Sequence, residues 1–195
     1  MAIFMKSIGF RVRRNTKSSG DGFSLIEVMF AIAILAVGLC ALMAMFGSAV
    51  YSVQYAQEDQ IAKQKAREAI EAAIAARNDT SITFDQLQNV SVGGIFKDGF
   101  QNLYLPGPNG IPGTGEDTTV LDRFVLPGPD GMIGTNDDVY IGLTNYQRKI
   151  TITNVYNADG SLNNDLRKIS VTVRVNSQVR GNKDFTISSL ISRFN

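Results

Sequence analysis

The stretch that decides the fold reads Gly22-Phe-Ser-Leu-Ile-Glu27-Val-Met-Phe-Ala-Ile-Ala-Ile-Leu-Ala-Val-Gly38. It opens a run without any formal charge, from Val28 to Gln57, whose first 23 residues, to Val50, are almost wholly apolar. A helix of 23 residues is roughly 35 Å long, which is enough to cross the hydrocarbon core of a bilayer. A buried core helix is the alternative, but such helices are usually shorter and have a polar face. The run therefore favours a single membrane span.

The residues before this run are basic. Residues 1–22 carry five Lys or Arg and one acidic residue, Asp21. Such a segment stays in the cytoplasm and directs the rest of the chain outward. A secretory signal would place its cleavage site after a shorter apolar region. Here the candidate processing site precedes the apolar run, so removal of residues 1–22 as a leader would leave the span attached to the mature protein.

Glu27 is the single charged residue among the first 35 residues after this leader. A charged side chain at the centre of a bilayer costs about 2.5–3.5 kcal/mol on insertion scales, so an intramembrane acid is a candidate functional residue. The alternative is that Glu27 lies at the membrane interface beside the basic leader, at little cost. The residues alone leave both interpretations open.

The junction Gly22-Phe23-Ser24-Leu25-Ile26-Glu27-Val28 resembles the class III signal of type IV prepilins and pseudopilins. The resemblance implies that prepilin peptidase cuts between Gly22 and Phe23 and methylates the new amino terminus of Phe23. It also implies that Glu27 pairs with the N-terminal amine of a neighbouring subunit. The implied partners are this peptidase, other pilin subunits, the membrane and an inner-membrane assembly platform. The implied location is the inner membrane, with a cytoplasmic N-terminus, and later a periplasmic or extracellular filament.

Two further stretches point to a subtype. The run Ile32-Ala-Ile-Leu-Ala-Val-Gly-Leu39 is similar to that of PilV-type minor pilins and GspI-type minor pseudopilins, and so is a terminal strand that ends in Leu-Ile-Ser. Major pilins usually carry a cysteine pair near the C-terminus, whereas this chain has only Cys40, for which inert packing is expected. The resemblance favours a minor subunit.

The helical pattern continues beyond the apolar run. Apolar and alanine positions recur at helical spacing from Ile61 to Ile74, while charged residues such as Lys65 occupy the other faces. Asp59 and Lys63 are spaced for an i,i+4 ion pair. Asn78-Asp79-Thr80 is a plausible stop. We therefore predict one helix from Phe23 to about Arg77, with a transmembrane half over 23–54 and an amphipathic half over 55–78.

The C-terminal part alternates as antiparallel strands do. Three strands are predicted over Tyr146–Tyr156, Leu166–Val175 and Phe185–Phe194, with turns at Asp159-Gly160 and Gly181-Asn182. Their apolar face is expected to pack on the amphipathic half of the helix. The predicted fold is α+β and pilin-like, with a head over 79–195 that contains repeat loops (105–138) and a meander (146–194). Four basic residues are assigned to a solvated face of the sheet, namely Arg148, Lys149, Arg167 and Lys168.

The middle of the chain contains an internal repeat. Leu105-Pro-Gly-Pro-Asn109 opens a first copy that recurs 21 residues later from Leu126. Hard oxygen ligands on a Gly-rich loop suit calcium, and the second copy resembles the Asp-Gly-x-x-Gly-Thr-x-Asp-Asp loops of some calcium-binding extracellular repeats. The alternative is a pair of solvated Asx turns, in which acids cap backbone amides without a metal. The candidate ligands are Asp130, Asn136, Asp137 and Asp138 in the second copy and Asn109, Glu116 and Asp117 in the first.

Composition excludes several functions. The absence of His rules out a His-based triad and a His-containing zinc site, and a single Cys rules out an internal disulfide. Without the leader the chain has 14 basic and 17 acidic residues, a net charge of −3, which argues against nonspecific binding to nucleic acid. We predict a structural filament subunit that is not an enzyme and requires no cofactor. The alternatives are a calcium-dependent adhesive or ligand-binding module displayed on a filament and, remotely, an anchored metal-dependent enzyme.

Overall fold

The computed structural model describes residues 22–177 and 180–194. The chain divides into two compact units, residues 1–49 and 50–195. Helix α1 (Leu25–Asn78) begins in the first unit and continues into the second. The expected leader lies outside the described residues, apart from Gly22.

Helix α1 begins where the sequence predicts, within two residues. The carbonyl of Ser24 accepts hydrogen bonds from the backbone N–H groups of Glu27 (3.0 Å) and Val28 (3.2 Å), which closes the first turn. Glu27 lies in that turn, where the partial positive charge of a helix N-terminus favours a carboxylate. By length and composition the helix could cross a membrane, and its most apolar window has no buried residue.

Within the second unit, α1 presents small residues to the core. Ala62, Ala66, Ala69 and Ala73 are fully buried, and Ile61 and Ile70 are nearly so. Small side chains let a helix approach a sheet closely, because little volume separates the backbones. The predicted amphipathic stripe is therefore confirmed as the helix side of the core.

The second unit contains a four-stranded antiparallel sheet and a separate two-stranded one. The strands are β1 (Gln101–Asn102), β2 (Arg123–Leu126), β3 (Val139–Gly142), β4 (Tyr146–Tyr156), β5 (Leu162–Ser177) and β6 (Gly181–Ser192), and a short 3-10 helix occupies Val90–Val92. The larger sheet has the order β1-β4-β5-β6, and the smaller sheet pairs β2 with β3. The inward residues of the larger sheet, Ile150, Ile169, Val171 and Val173, are at most 2% exposed and share one core with α1. The α+β, pilin-like prediction is confirmed.

The first of the two predicted turns is confirmed, whereas the second is displaced. Asp159 accepts from the backbone N–H (2.9 Å) and hydroxyl (2.6 Å) of Ser161, so the Asp-Gly turn joins β4 to β5. The second reversal lies between Ser177 and Gly181, which face each other in the ladder. Gly181, at φ +75°, therefore opens β6 instead of forming the turn. The predicted strands omitted β1, β2 and β3, which are short.

The assignment of Arg148 and Arg167 to a solvated face is wrong. Both side chains lie on the inward face of the sheet, because they precede Ile150 and Ile169 by two residues and strand side chains alternate. Arg148 is 4% exposed and Arg167 is 8% exposed. The guanidinium of Arg167 donates to the carbonyls of Phe84 and Leu87, so buried backbone acceptors satisfy it.

Two predictions about charges on α1 are also wrong. Lys65, expected on a polar face, is buried, and its Nζ lies 2.6 Å from Oδ2 of the buried Asp122. Asp59 pairs with Arg180 and Lys183, each at 2.6 Å, instead of with Lys63. In both cases the ion-pair partner is distant in sequence and reaches the helix only because the head folds against it. The spacing of charges along the helix does not predict such a partner.

Candidate functional site

The first candidate site is the start of α1. Phe23 is 82% exposed, and it precedes the start of α1 by two residues and Glu27 by four. The two residues flank a shallow groove of about 560 Å³, whose other lining residues are Val28, Ala31, Ile32 and Leu35. Every neighbour of the Glu27 carboxylate in this groove is apolar. Among the residues that the structure describes, none places a cation within ion-pair distance of Glu27.

This geometry gives the carboxylate a specific requirement. A carboxylate in apolar surroundings is stable only when a cation or several hydrogen-bond donors accompany it. In the uncut chain the nitrogen of Phe23 is a peptide nitrogen that carries no charge. Cleavage between Gly22 and Phe23 would convert it into an ammonium at the same groove. Gly22, Phe23 and Glu27, the residues predicted for cleavage, methylation and assembly, lie within six consecutive positions of the chain, and these roles stay predictions.

The second candidate site is formed by the two repeat loops, residues 105–117 (the first repeat loop) and 126–138 (the second repeat loop). Their backbone geometry is the same. Gly110 N–H donates to the carbonyl of Gly107 at 3.0 Å, and Gly131 N–H donates to that of Gly128 at 3.0 Å. The glycines at the next matched position, Gly113 and Gly134, have φ values of +85° and +98°. The sequence repeat is therefore a structural repeat.

Both loops also close the same way. In the second repeat loop, Leu126 faces Val139 in the β2–β3 ladder. In the first, the backbone N–H of Thr118 donates to the carbonyl of Leu105 at 3.0 Å, and these residues lie 21 positions earlier. Each copy is thus the tip of a hairpin. The loop region was predicted, but the hairpin that carries it was not.

The acidic residues of the second repeat loop cap its own backbone. Oδ1 of Asp130 accepts from the N–H of Met132 at 2.8 Å, and Oδ2 of Asp138 accepts from the N–H of Gly134 at 2.7 Å. Asp137 accepts from the hydroxyl of Thr135 at 2.6 Å, and this bond is the main reason why the pKa of its carboxyl lies below the usual value. The remaining oxygen of Asp138, Oδ1, is enclosed and has no partner within the described chain.

The first repeat loop is capped in the same manner. Asn109 Oδ1 accepts from the N–H of Ile111 at 2.9 Å, and both oxygens of Asp117 accept from the N–H of Gly113. Glu116 and Asn136 are exposed. Over residues 22–177 and 180–194, no three or more Asp, Glu, Cys or His side chains gather as a metal site would require. The arrangement matches the Asx-turn alternative, and calcium binding stays a prediction.

The two loops differ in what surrounds them. The first repeat loop is packed on the head: Ile111 is fully buried, and Pro112 is buried as well. In the second repeat loop the matched apolar residues are exposed, Met132 by 64% and Ile133 by 67%. The sequences of the two copies differ, which could have suggested that the two loops have different roles. Only the structure shows which of the two loops is packed against the rest of the head.

One structural residue could not have been found from the sequence. The side chain of Asn89 behaves as a piece of strand beside β4: its amide Nδ2 donates to the carbonyl of Ile150 at 2.9 Å, and its Oδ1 accepts from the N–H of Ile152 at 2.9 Å. The local sequence around Asn89 does not predict these hydrogen bonds, because both partner residues lie more than 60 positions away.

The family profile described as the prokaryotic N-terminal methylation motif matches residues 19–50. No curated protein and no solved structure matches the chain. The matched residues contain the Gly22–Phe23 junction, Glu27 and the apolar half of α1. The chain therefore carries the class III signal of type IV pilins at the start of a long apolar helix.

Proposed function

We propose that the chain is a minor pilin or pseudopilin, a structural subunit of a type IV pilus or of a type II secretion-like filament, and not an enzyme. One observation carries this proposal. The stretch that matches the methylation motif contains Gly22, Phe23 and Glu27, and it runs into a helix whose apolar side chains are exposed within the first unit. Such a surface is stable only in a membrane or against other apolar helices.

Processing prepares this helix for assembly. Prepilin peptidase would cut between Gly22 and Phe23, remove the basic leader and methylate the new amine. Until assembly, the apolar half of α1 would anchor the subunit in the inner membrane, with the second unit outside the cytoplasm. The assembly platform and other pilin subunits would then provide the apolar surroundings that the bilayer provided before.

Glu27 would set the position of each subunit in the bundle. Its carboxylate and an N-terminal ammonium are each costly to bury alone, and the cost falls when they meet in good geometry. A neighbour's amine at the depth of Glu27 therefore fixes one axial register among many that apolar packing alone would allow. A single polar residue at the seam of a coiled coil specifies register in the same way.

The direct test is the mature amino terminus. The full chain is coexpressed with a prepilin peptidase, recovered from the membrane fraction, and its N-terminal peptide is identified by mass spectrometry. We expect a peptide that begins with methylated Phe23. A chain that still begins with Met1, while a known prepilin in the same cells is processed, would overturn the proposal.

A second candidate function is a calcium-dependent adhesive or ligand-binding module carried by the second repeat loop. One observation favours it: the enclosed Oδ1 of Asp138 has no partner in the described chain, whereas both oxygens of the matched Asp117 accept hydrogen bonds. The described donors to Asp130, Asp137 and Asp138 within this loop are neutral, so the three negative charges are uncompensated there. Calcium would supply a partner for this oxygen and compensate the charge, and the carboxylates would have to draw together around it, because they do not gather in the described structure.

Thermal unfolding of a fragment beginning at Val50 tests this second candidate. Calcium at one hundred times its dissociation constant would stabilise the fold by about 2.7 kcal/mol and raise the melting temperature relative to chelator. Asp138→Ala should remove the calcium-dependent difference, while Asp117→Ala, which loses the matched backbone cap, should keep it. Magnesium should substitute poorly, because it prefers a tighter octahedron. Equal melting in calcium and chelator would leave the loops as Asx turns.

A further inference from the structure

The first repeat loop shows how a loop of this shape is covered. Gly113 lies against β4 so closely that a Cβ there would be 2.7 Å from Cδ1 of Ile150. The extended backbone at Phe96 forms an antiparallel bridge with Thr114, and the N–H of Lys97 donates to the carbonyl of Gly113 at 2.8 Å. The covering surface is therefore an apolar sheet residue together with the edge of an extended segment.

The second repeat loop offers the same groups with nothing over them. A Cβ on Gly134, the counterpart of Gly113, would meet no atom within 4 Å. In the part of the chain that the structure describes, no segment bridges Thr135 or donates to the carbonyl of Gly134, as Phe96 and Lys97 do in the first loop. The loop thus presents Met132 and Ile133 beside a free length of backbone.

A surface that resembles the cover of the first loop exists elsewhere on the head. β6 is the last strand of its sheet, and the described residues leave its outer edge unpaired. Its C-terminal end borders a groove of about 490 Å³ lined by Ile74, Leu190, Ile191 and Phe194, with Asn78 and Ser192. Leu190 is 59% exposed and Phe194 is 67% exposed. This groove combines apolar side chains with a free strand edge.

We propose that the second repeat loop of one copy docks into the β6 groove of a second copy of this chain, with Met132 and Ile133 in the groove and the backbone at Gly134 against the β6 edge. The loop carries three Asp residues, and one cation lies beside the groove: the guanidinium of Arg77 donates to the backbone carbonyl of Arg193, between the lining residues Ser192 and Phe194, while the side chain of Arg193 is itself paired with Asp85 and Asp165. Two different surfaces meet, so the contact is heterologous and can repeat without closing. The inference rests on the proposed filament function.

Cysteine crosslinking in the full chain tests the contact. Cys40, the single native cysteine, is first replaced by Ser. Two differently tagged chains, one with Ile133→Cys and one with Leu190→Cys, are then coexpressed with the prepilin peptidase and the assembly machinery and oxidised. We expect a mixed-tag disulfide dimer, which requires Cα atoms within about 7 Å of each other. A matched control pairs Leu190→Cys with Val92→Cys, because Val92 is equally exposed at 65% but lies outside both surfaces; it should give no dimer.

Other outcomes overturn the inference. A dimer of equal yield with Val92→Cys would show random collision, dimers of Ile133→Cys with itself would show a symmetric contact, and a crosslink to another protein would replace the second copy as occupant. If the chain is recovered in sheared filaments but no mixed dimer forms, the docking is wrong while the filament function stands. If the chain with Cys40→Ser alone never reaches the filament, both the docking contact and the proposed filament function are wrong.

Discussion

Removing one partner of the buried pair between Lys65 and Asp122 should destabilise the head more than removing any exposed ion pair. The Nζ of Lys65 lies 2.6 Å from Oδ2 of Asp122, and the two side chains are 9% and 7% exposed. In Asp122→Ala, the ammonium of Lys65 loses its buried partner and keeps only Glu68, at 3.0 Å, whose side chain is 47% exposed. In Lys65→Met, the carboxylate of Asp122 keeps the N–H of Arg123, at 2.7 Å, and the electrostatic attraction of the buried Arg148.

The expected magnitude follows from the burial of both charges. Breaking a buried pair by removing one partner costs about 3–5 kcal/mol, because an uncompensated charge stays inside. Glu68 keeps part of the compensation for Lys65, so we expect about 3 kcal/mol for Asp122→Ala, at the lower end of this range. Removing both charges together, in Lys65→Met with Asp122→Leu, should cost far less than the sum of the single changes.

Urea unfolding of a fragment beginning at Val50 measures these differences. The midpoint should fall in each single variant with the slope unchanged, which shows that stability and not compactness has altered. Asp184→Ala is the control, since it removes the well-aligned pair of Arg174 and Asp184 (2.7 Å), whose side chains are 30% and 41% exposed. The reasoning fails if Asp122→Ala costs no more than this control, or if the double variant is as unstable as the single losses added together.

Three further predictions concern assembly, pH and the first repeat loop. Glu27→Ala and Glu27→Gln should leave membrane insertion and leader cleavage intact but impair recovery in sheared filaments, and normal incorporation of both would leave Glu27 as an interface residue only. Burial acts to raise the pKa of Asp59, but hydrogen bonds from Lys183 and Arg180 outweigh it and hold the pKa below its usual value. This lowered pKa contributes stability that is complete above about pH 4 and is lost as the pH falls further, so acid unfolding of Asp59→Asn should lack that part of the pH dependence. Gly113→Ala and Gly134→Ala both place a Cβ at positive φ, which costs about 1–2 kcal/mol of stability each. Only the Cβ at position 113 would also clash with Ile150, so Gly113→Ala should lower the melting temperature more than Gly134→Ala. Equal losses would show that the first repeat loop is not held against β4.

The sequence was sufficient where structure follows from local periodicity. Strand β4 was predicted with its observed bounds, Tyr146–Tyr156, because its residues alternate and a turn follows. The start of helix α1 was predicted within two residues, because a long apolar run followed by small residues at helical spacing is typical of a helix and not of a strand. The candidate residues Gly22, Phe23 and Glu27 follow from the sequence because their signal is contiguous, and the matched motif contains all three; their roles stay predictions.

Features that depend on contacts between distant residues were missed. Charge alone predicts a solvated position for Arg148 and Arg167, yet the strand alternation that buries Ile150 and Ile169 also buries these two arginines. Buried carbonyls of a loop 80 residues away make this tolerable for Arg167. Lys65 was misplaced for the same reason, since its partner Asp122 is supplied by the turn into β2. The short strands β2 and β3 escaped notice because two proline- and glycine-rich segments interrupt any periodicity there.

The side chain of Asn89 has a consequence for the direction in which this sheet can grow. Its amide occupies the outer N–H and C=O groups of β4 at Ile152 and Ile150, beyond the two residues of β1. An incoming strand would meet backbone groups that are already bonded at these two positions, and β1 beside them has only two residues, so this margin offers little to extend. The opposite margin, β6, is twelve residues long and has no strand on its outer side within the described residues. A strand recruited from another molecule would therefore pair with β6, and a structure built by such additions would have two chemically distinct ends.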